Sequence, residues 1–123
     1  MPPIRVVVAE DNEDLRLVLP PLIDETGDLV CAGVTDSIDE VGALIESQRA
    51  QVAVLDIELR GGSALKRLPA LCAQFPATRF LIHSGHSNPE LMRHAREAGA
   101  SAYVLKTGDF DHLYAAIRKF SQS

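Results

Sequence analysis

The chain has 123 residues, 46% of them hydrophobic and 24% charged, with a formal net charge of −5. That length suits one domain with a proper core, and acids interspersed with bases in net acidic excess exclude a basic nucleic-acid surface or a polybasic membrane patch. No apolar run reaches the length of a membrane span and the start Met1-Pro2-Pro3-Ile4 is not a signal peptide, so no membrane partner is expected and the cytoplasm is the expected compartment. In such a reducing compartment Cys31 and Cys72 are expected as two small buried hydrophobes.

Five β-type runs, 4–9, 29–34, 51–56, 79–84 and 101–105, start 25, 22, 28 and 22 residues apart. Each gap holds one helix and two loops, the spacing of βαβ crossovers and a parallel sheet. The first helix, about 12–25, places Leu15, Val18, Leu19, Leu22 and Ile23 at helical spacing, but Pro20-Pro21 falls inside it. Proline removes a backbone donor and clashes with the preceding turn, so a kink or an early break is expected there. The second helix, about 38–48, carries Ile38, Val41, Leu44 and Ile45. The middle strand, Val52-Ala53-Val54-Leu55, is apolar throughout, as a strand covered on both faces should be. The third helix, about 63–74, has Leu65, Leu68, Leu71 and Cys72, with Pro69 inside it. The fourth opens at Asn88-Pro89, a cap followed by proline at the first helical position, and ends at Gly99. The fifth, about 109–121, aligns Phe110, Leu113, Ile117 and Phe120. No linker, repeat or low-complexity stretch interrupts the chain.

Polar residues close four of the strands: Glu10-Asp11 the first, Asp56 the third, Ser84-Gly85 the fourth and Lys106 the fifth. Ligands of open parallel sheets bind beyond the carboxyl ends of the strands, so these residues form a candidate site. Taken singly they have ordinary explanations. A strand-end Asp is usually a helix cap or turn residue, Lys106 a solvated lysine, and Ser84-Gly85 a turn. Four in order along one sheet edge outweigh those explanations. If the first and third strands are neighbours, Glu10, Asp11 and Asp56 converge and repel one another. A hard divalent cation relieves this, and Mg²⁺ suits carboxylate and phosphate oxygens. An ionised Asp is a covalent nucleophile toward phosphoryl groups. Lys106 and Ser84 are the right types to stabilise charge on a transferred phosphoryl group. His83 and His86 lack nearby third and fourth ligands, so no zinc site is expected. Arg60-Gly61-Gly62 is neither a dinucleotide fingerprint nor a Walker loop.

Ala9-Glu10-Asp11-Asn12, Val54-Leu55-Asp56-Ile57-Glu58-Leu59, Ile82-His83-Ser84-Gly85-His86 and Gly99-Ala100-Ser101-Ala102-Tyr103-Val104-Leu105-Lys106 together resemble the receiver domains of two-component response regulators. The resemblance covers almost the whole chain. Val30-Cys31-Ala32-Gly33-Val34 looks like receivers of the LuxR/NarL-like subgroup, which often precede a helix-turn-helix output domain. The resemblance implies a flavodoxin-like (βα)5 three-layer α/β sandwich with a parallel five-stranded sheet in the order 2-1-3-4-5. It implies Asp56 as phosphoacceptor, served by a sensor histidine kinase or phosphotransfer protein. Glu10 and Asp11 would hold Mg²⁺, with Asp11 and Asp56 as direct ligands and the backbone carbonyl of Glu58 completing the protein's share. Lys106 would contact the phosphoryl group, Ser84 would be the switch hydroxyl, and Tyr103 the aromatic side chain that moves with it. On residue pattern alone, Tyr103 is half-buried packing with its hydroxyl in water. Glu58 and His86 would flank the site and influence the lifetime of the phosphate. Two positions depart from the family: Arg60 stands where proline is common and Ala64 where glycine is common, which leaves the backbone of the loop after Asp56 open.

The expectation is therefore a single receiver domain over 1–123. It is a switch rather than an enzyme with an external substrate, and it is read through the face of the fourth helix, fifth strand and fifth helix by a partner or a second copy. It needs no organic cofactor and makes no nucleic-acid contact of its own. The alternatives are a pseudo-receiver that acts only as an interaction module, an aspartate-nucleophile phosphatase, for which the chain has no room for a substrate cap, and the N-terminal part of a DNA-binding transcriptional regulator.

Overall fold

A computed structural model describes residues 2–121 of the chain. The apolar runs form five strands, β1 (Ile4–Ala9), β2 (Leu29–Thr35), β3 (Val52–Leu55), β4 (Arg79–Ser84) and β5 (Ala102–Leu105). They pair in parallel in the order β2-β1-β3-β4-β5. This is the flavodoxin-like order that the resemblance implies. A two-residue ribbon, Glu58–Leu59 with Gly62–Ser63, follows Asp56.

The helices are α1 (Glu13–Glu25), α2 (Ile38–Gln48), α3 (Ala64–Gln74), α4 (Pro89–Ala98) and α5 (Asp111–Phe120). Strand side chains alternate, so the sheet has two cores. Val7, Ala53, Leu55, Phe80 and Ile82 meet the buried sides of α2, α3 and α4. Val6, Val8, Val52, Val54 and Leu81 meet Leu19 and Ile23 of α1 and Leu113 and Ile117 of α5. Four helices begin with a side-chain oxygen on an otherwise unpaired amide: Asn12, Ser37, Ser63 and Asn88. Asn12, and not Asp11, caps α1, which leaves the Asp11 carboxylate for the site. At the end of α4, Gly99 has φ 120°, and a Cβ there would come within 2.6 Å of Cys72 Sγ. Both cysteines are free and only partly buried, less sheltered than expected.

The expected break at Pro20-Pro21 does not occur. Helix α1 runs on to Glu25, and α3 likewise passes through Pro69. The prolines leave the carbonyls of Arg16 and Leu17 without a helical donor, on the side where Leu17 is 71% exposed. Leu19 and Ile23 on the opposite side are fully buried, and each contributes about 1.5–3 kcal/mol, which offsets much of a penalty of about 3 kcal/mol for each of the two prolines. The apolar stripe is narrower than the spacing suggested, since Val18 is 46% exposed.

Candidate functional site

Sheet register brings the polar strand ends together. Ala9 pairs with Leu55, so Glu10 and Asp56 leave neighbouring strands side by side, and the Asp56 amide donates to the Ala9 carbonyl at 2.8 Å. Ser84 pairs with Leu105, and the Lys106 amide donates to the Ser84 carbonyl at 2.8 Å. The next residue of each strand projects over the same edge.

Lys106 ties the acids together. Its Nζ lies 2.9 Å from Glu10 Oε1 and 3.1 Å from Asp56 Oδ2. Glu10 is 1% exposed; its Oε2 also accepts the Asn12 amide at 2.9 Å. Burial raises the Glu10 carboxyl above its ordinary range, the Asn12 and Lys106 bonds work against that rise, and nearby Asp56 adds to it. For Lys106, burial favours the neutral amine, but contact with Glu10 and Asp56 outweighs it and holds the ammonium above its ordinary value. Asp56 Oδ1 accepts the Ile57 amide at 2.9 Å.

Asp11, Asp56, Glu58, Ser84, His86 and Lys106 line one cavity of about 350 Å³. Asp11 is exposed and Asp56 partly so, both open to an incoming group. Glu10 lies behind them on Lys106. Among the described residues no three His, Cys, Asp or Glu side chains are gathered as a ready-made metal cage. Magnesium does not require one, since it binds through one or two carboxylates and keeps its remaining sites for water and phosphate. Two accessible carboxylates, Asp11 and Asp56, beside Glu58 fit that habit.

Ser84 is fully buried, and its Oγ accepts the His86 amide at 3.1 Å. Tyr103 is half-buried and its hydroxyl donates to the His86 carbonyl at 2.8 Å, so it is bonded rather than simply wet. Both side chains expected to switch therefore grip the backbone of one residue of the β4–α4 loop, Ser84 at the His86 amide and Tyr103 at its carbonyl. His83 turns to the opposite face. It is 3% exposed, it lies 6.4 Å from the Phe110 ring, and its Nδ1 has no hydrogen-bond partner. Burial, then the charge of Lys106, push its pKa down to about 4. His86 is exposed, so the two histidines do not share a site.

Arg16 is a contributor that the sequence reading missed. Its Nη1 donates to the carbonyls of Glu10 and Asp11 at 3.0 and 2.9 Å, fixing the backbone of the acidic loop. The signal was its position, one turn beyond the acid pair on a helix that starts at the site. A charged helical residue otherwise reads as solvated surface.

A doubly wound fold with a lysine-bridged aspartate at its strand ends defines an acidic site at the carboxyl edge of the sheet. The chain belongs to the response regulator receiver domain family, whose profile matches residues 6–118. It is 33% identical over 84% of its length to the DNA-binding transcriptional activator DevR/DosR of Mycobacterium tuberculosis, and 31% identical over 94% to the transcriptional regulatory protein YvfU of Bacillus subtilis. The matches cover 48% and 58% of those two proteins, so the chain spans about half the length of these relatives. Among solved structures it is similar to the receiver domain of the response regulator NarL from Mycobacterium tuberculosis, with a TM-score of 0.92 and 24% identity over 100% of this chain and 99% of that one. It is also similar to a LuxR-family response regulator from Staphylococcus aureus, with a TM-score of 0.88 and 28% identity over 97% and 99%. These likenesses place it among LuxR/NarL-like receivers.

Proposed function

We propose that the chain is a phosphoacceptor switch that takes a phosphoryl group on Asp56 from the phosphohistidine of a sensor kinase or phosphotransfer protein. The observation that carries this reading is the Lys106 ammonium held between Asp56 and Glu10 beside an open acidic cavity. An Asp56 carboxylate oxygen forms the new P–O bond as the donor's P–N bond breaks, and the imidazole leaves with the bonding pair. Lys106 then meets the new negative charge with a cation already in place. Asp11, Asp56 and the Glu58 carbonyl would hold magnesium, whose charge would neutralise the acids and the phosphoryl oxygens. Buried Glu10 holds Lys106, and its negative charge favours the ion from behind.

Ser84 and Tyr103 report the event. A phosphoryl group on Asp56 offers the Ser84 hydroxyl a stronger acceptor, and movement of Ser84 releases the His86 amide it now holds. Tyr103 holds the carbonyl of the same residue and lines an open, mostly apolar cavity of about 500 Å³ with Met92, Ala102, Leu105, His112 and Phe120, on the face formed by α4, β5 and α5. We infer that this face docks an output domain or a second copy, and that the output is transcriptional, as the names of the relatives read. The chain acts on its own Asp56, with no turnover of an external substrate. Among the described residues no helix is long and apolar enough to cross a membrane.

The test is incubation with acetyl phosphate and Mg²⁺, read by intact mass. One phosphoryl group on the wild type and none on Asp56→Asn is the expected result. An unmodified wild type would support the pseudo-receiver, and steady turnover of a small phosphate ester would support the phosphatase.

A further inference from the structure

The loop after Asp56 carries one of the two departures from the family, Arg60, and is fastened at both ends. At its base the Ala64 amide donates to the Ile57 carbonyl at 2.7 Å, and the Glu58–Ser63 and Leu59–Gly62 pairs close the ribbon. At its tip Arg60 pairs with Ser37 as a one-residue parallel extension to the loop between β2 and α2. The Arg60 amide donates to the Asp36 carbonyl at 2.9 Å, and the Arg60 carbonyl accepts the Ile38 amide at 3.0 Å. The guanidinium doubles the contact: Nε and Nη2 both meet Asp36 Oδ1, at 3.1 and 3.0 Å, with Glu40 4.0 Å away. Gly61 completes the turn at φ 95°, and a Cβ there would come within 2.8 Å of Asp39 Oδ2. That same Asp39 is ion-paired to Arg67 of α3.

Proline at position 60 cannot make this connection, because it has no N–H to give Asp36 and no side chain to reach the carboxylate. Arg60 lies two residues beyond Glu58, whose carbonyl is the one site ligand with no side chain of its own to steer it. A peptide pinned on both sides gives a carbonyl a single direction, and a ligand that is already oriented loses less entropy on binding.

Resting on the phosphoacceptor reading above, we propose that Arg60 is a positioning residue for phosphoryl transfer: by clamping the tip of the acceptor loop to the Asp36–Ile38 backbone, it presets the Glu58 carbonyl for the divalent cation. The clamp couples the acceptor loop to the β2–α2 corner.

The experiment titrates Mg²⁺ into wild type, Arg60→Pro and Arg60→Ala. It follows the Glu58 and Leu59 amide shifts by NMR, and acetyl phosphate labelling by intact mass in parallel. Arg60→Pro removes the amide bond and the ion pair, and half-saturating Mg²⁺ should rise about tenfold. Labelling at saturating Mg²⁺ should fall much less. Arg60→Ala keeps the backbone pair and folds whether or not proline is tolerated; its half-saturation should rise about threefold, the scale of an exposed ion pair, with faster hydrogen exchange at Ile38. A simple structural brace would lower Tm in both variants and leave half-saturation at the wild-type value, and that result overturns the proposal. A wild type that binds Mg²⁺ without taking label removes the phosphoacceptor reading, and the clamp then stands or falls on the NMR titration. A wild type that binds no Mg²⁺ removes both.

Discussion

Two ion pairs of similar chemistry hold opposite ends of the sheet, and they are built for different ends. At the carboxyl edge Lys106 bridges Glu10 and Asp56 at 2.9 and 3.1 Å, with the side chains 22%, 2% and 16% exposed. At the start of β2, Arg118 of α5 grips Asp28 at 2.6 and 3.0 Å, with the side chains 41% and 49% exposed. The surface pair has the better geometry, a two-point fork on one carboxylate. The buried set has one cation for two acids and raises the Glu10 carboxyl, whereas the fork lowers the Asp28 carboxyl to about 2. The fork leaves each charge content where it is. The buried set holds two carboxylates against one cation in low dielectric, the kind of arrangement that the proposed magnesium site would use.

Removing the cation from each set gives the largest contrast. Lys106→Met leaves Glu10 buried beside Asp56 with no counter-charge, and breaking a buried pair in this way costs about 3 kcal/mol at neutral pH. Glu10 already has a raised pKa, so its contribution to stability is greatest below its ordinary value of 4.5 and is lost as pH rises through the folded-state value. Lysine removal pushes that value further up, so the deficit of Lys106→Met in urea melts should be large at pH 7.5 and shrink as the pH is lowered toward 4.5. A deficit that does not change with pH would mean that the lysine acts by packing alone. Phosphoryl labelling should fall at least a hundredfold, because the charge on the transferred group loses its partner.

How much of this was legible in the sequence follows from the range of each interaction. Asp56 and Lys106 stood out because a polar residue ending an apolar run is a local signal, and parallel pairing turns four such ends into one edge. The Asn88-Pro89 start and Gly99 stop of α4 were local for the same reason. Arg60 was visible only as a departure, since its partners Asp36 and Ile38 lie 24 and 22 residues earlier and are reached through another crossover. Arg16 was unseen because its acceptors are backbone carbonyls, which leave no trace in residue pattern. The prolines misled in the other direction: a local propensity forecast a break that tertiary burial of Leu19 and Ile23 overrides.

His83 sharpens the comparison from behind the site. It is held neutral with a pKa of about 4, below its ordinary 6.5. The unfolded chain takes up this proton first as pH falls, so the His83 contribution is intact above 6.5 and is lost between 6.5 and 4. The loss is about 3 kcal/mol at 1.36 kcal/mol per unit. Its sign is opposite to that of Glu10, so the two partly cancel in the wild type. His83→Leu should change stability little at pH 7, since it also removes an unpaired Nδ1, and it should flatten the acid limb between pH 6.5 and 4. Parallel limbs for variant and wild type would mean that the imidazole is hydrated in the folded state.

The smallest effect should come from the pair with the best geometry. Asp28 is lowered by its bond to Arg118, so this contribution is present above 3.8 and disappears as pH falls from 3.8 toward 2, a window in which His83 has already taken its proton. Arg118→Gln should move the neutral-pH Tm only slightly, and the difference from wild type should vanish in molar salt, because water and ions already solvate both groups. The Lys106 deficit should persist in the same salt, since Glu10 is 1% exposed and buried charges are screened far less than surface ones. If salt erased both deficits equally, burial would not be what separates the two ends of the sheet, and the raised Glu10 carboxyl would need another cause. If it erases only the Arg118 deficit, then burial, not bond length or the number of hydrogen bonds, separates the ion pair that braces the surface from the one at the proposed phosphoacceptor site.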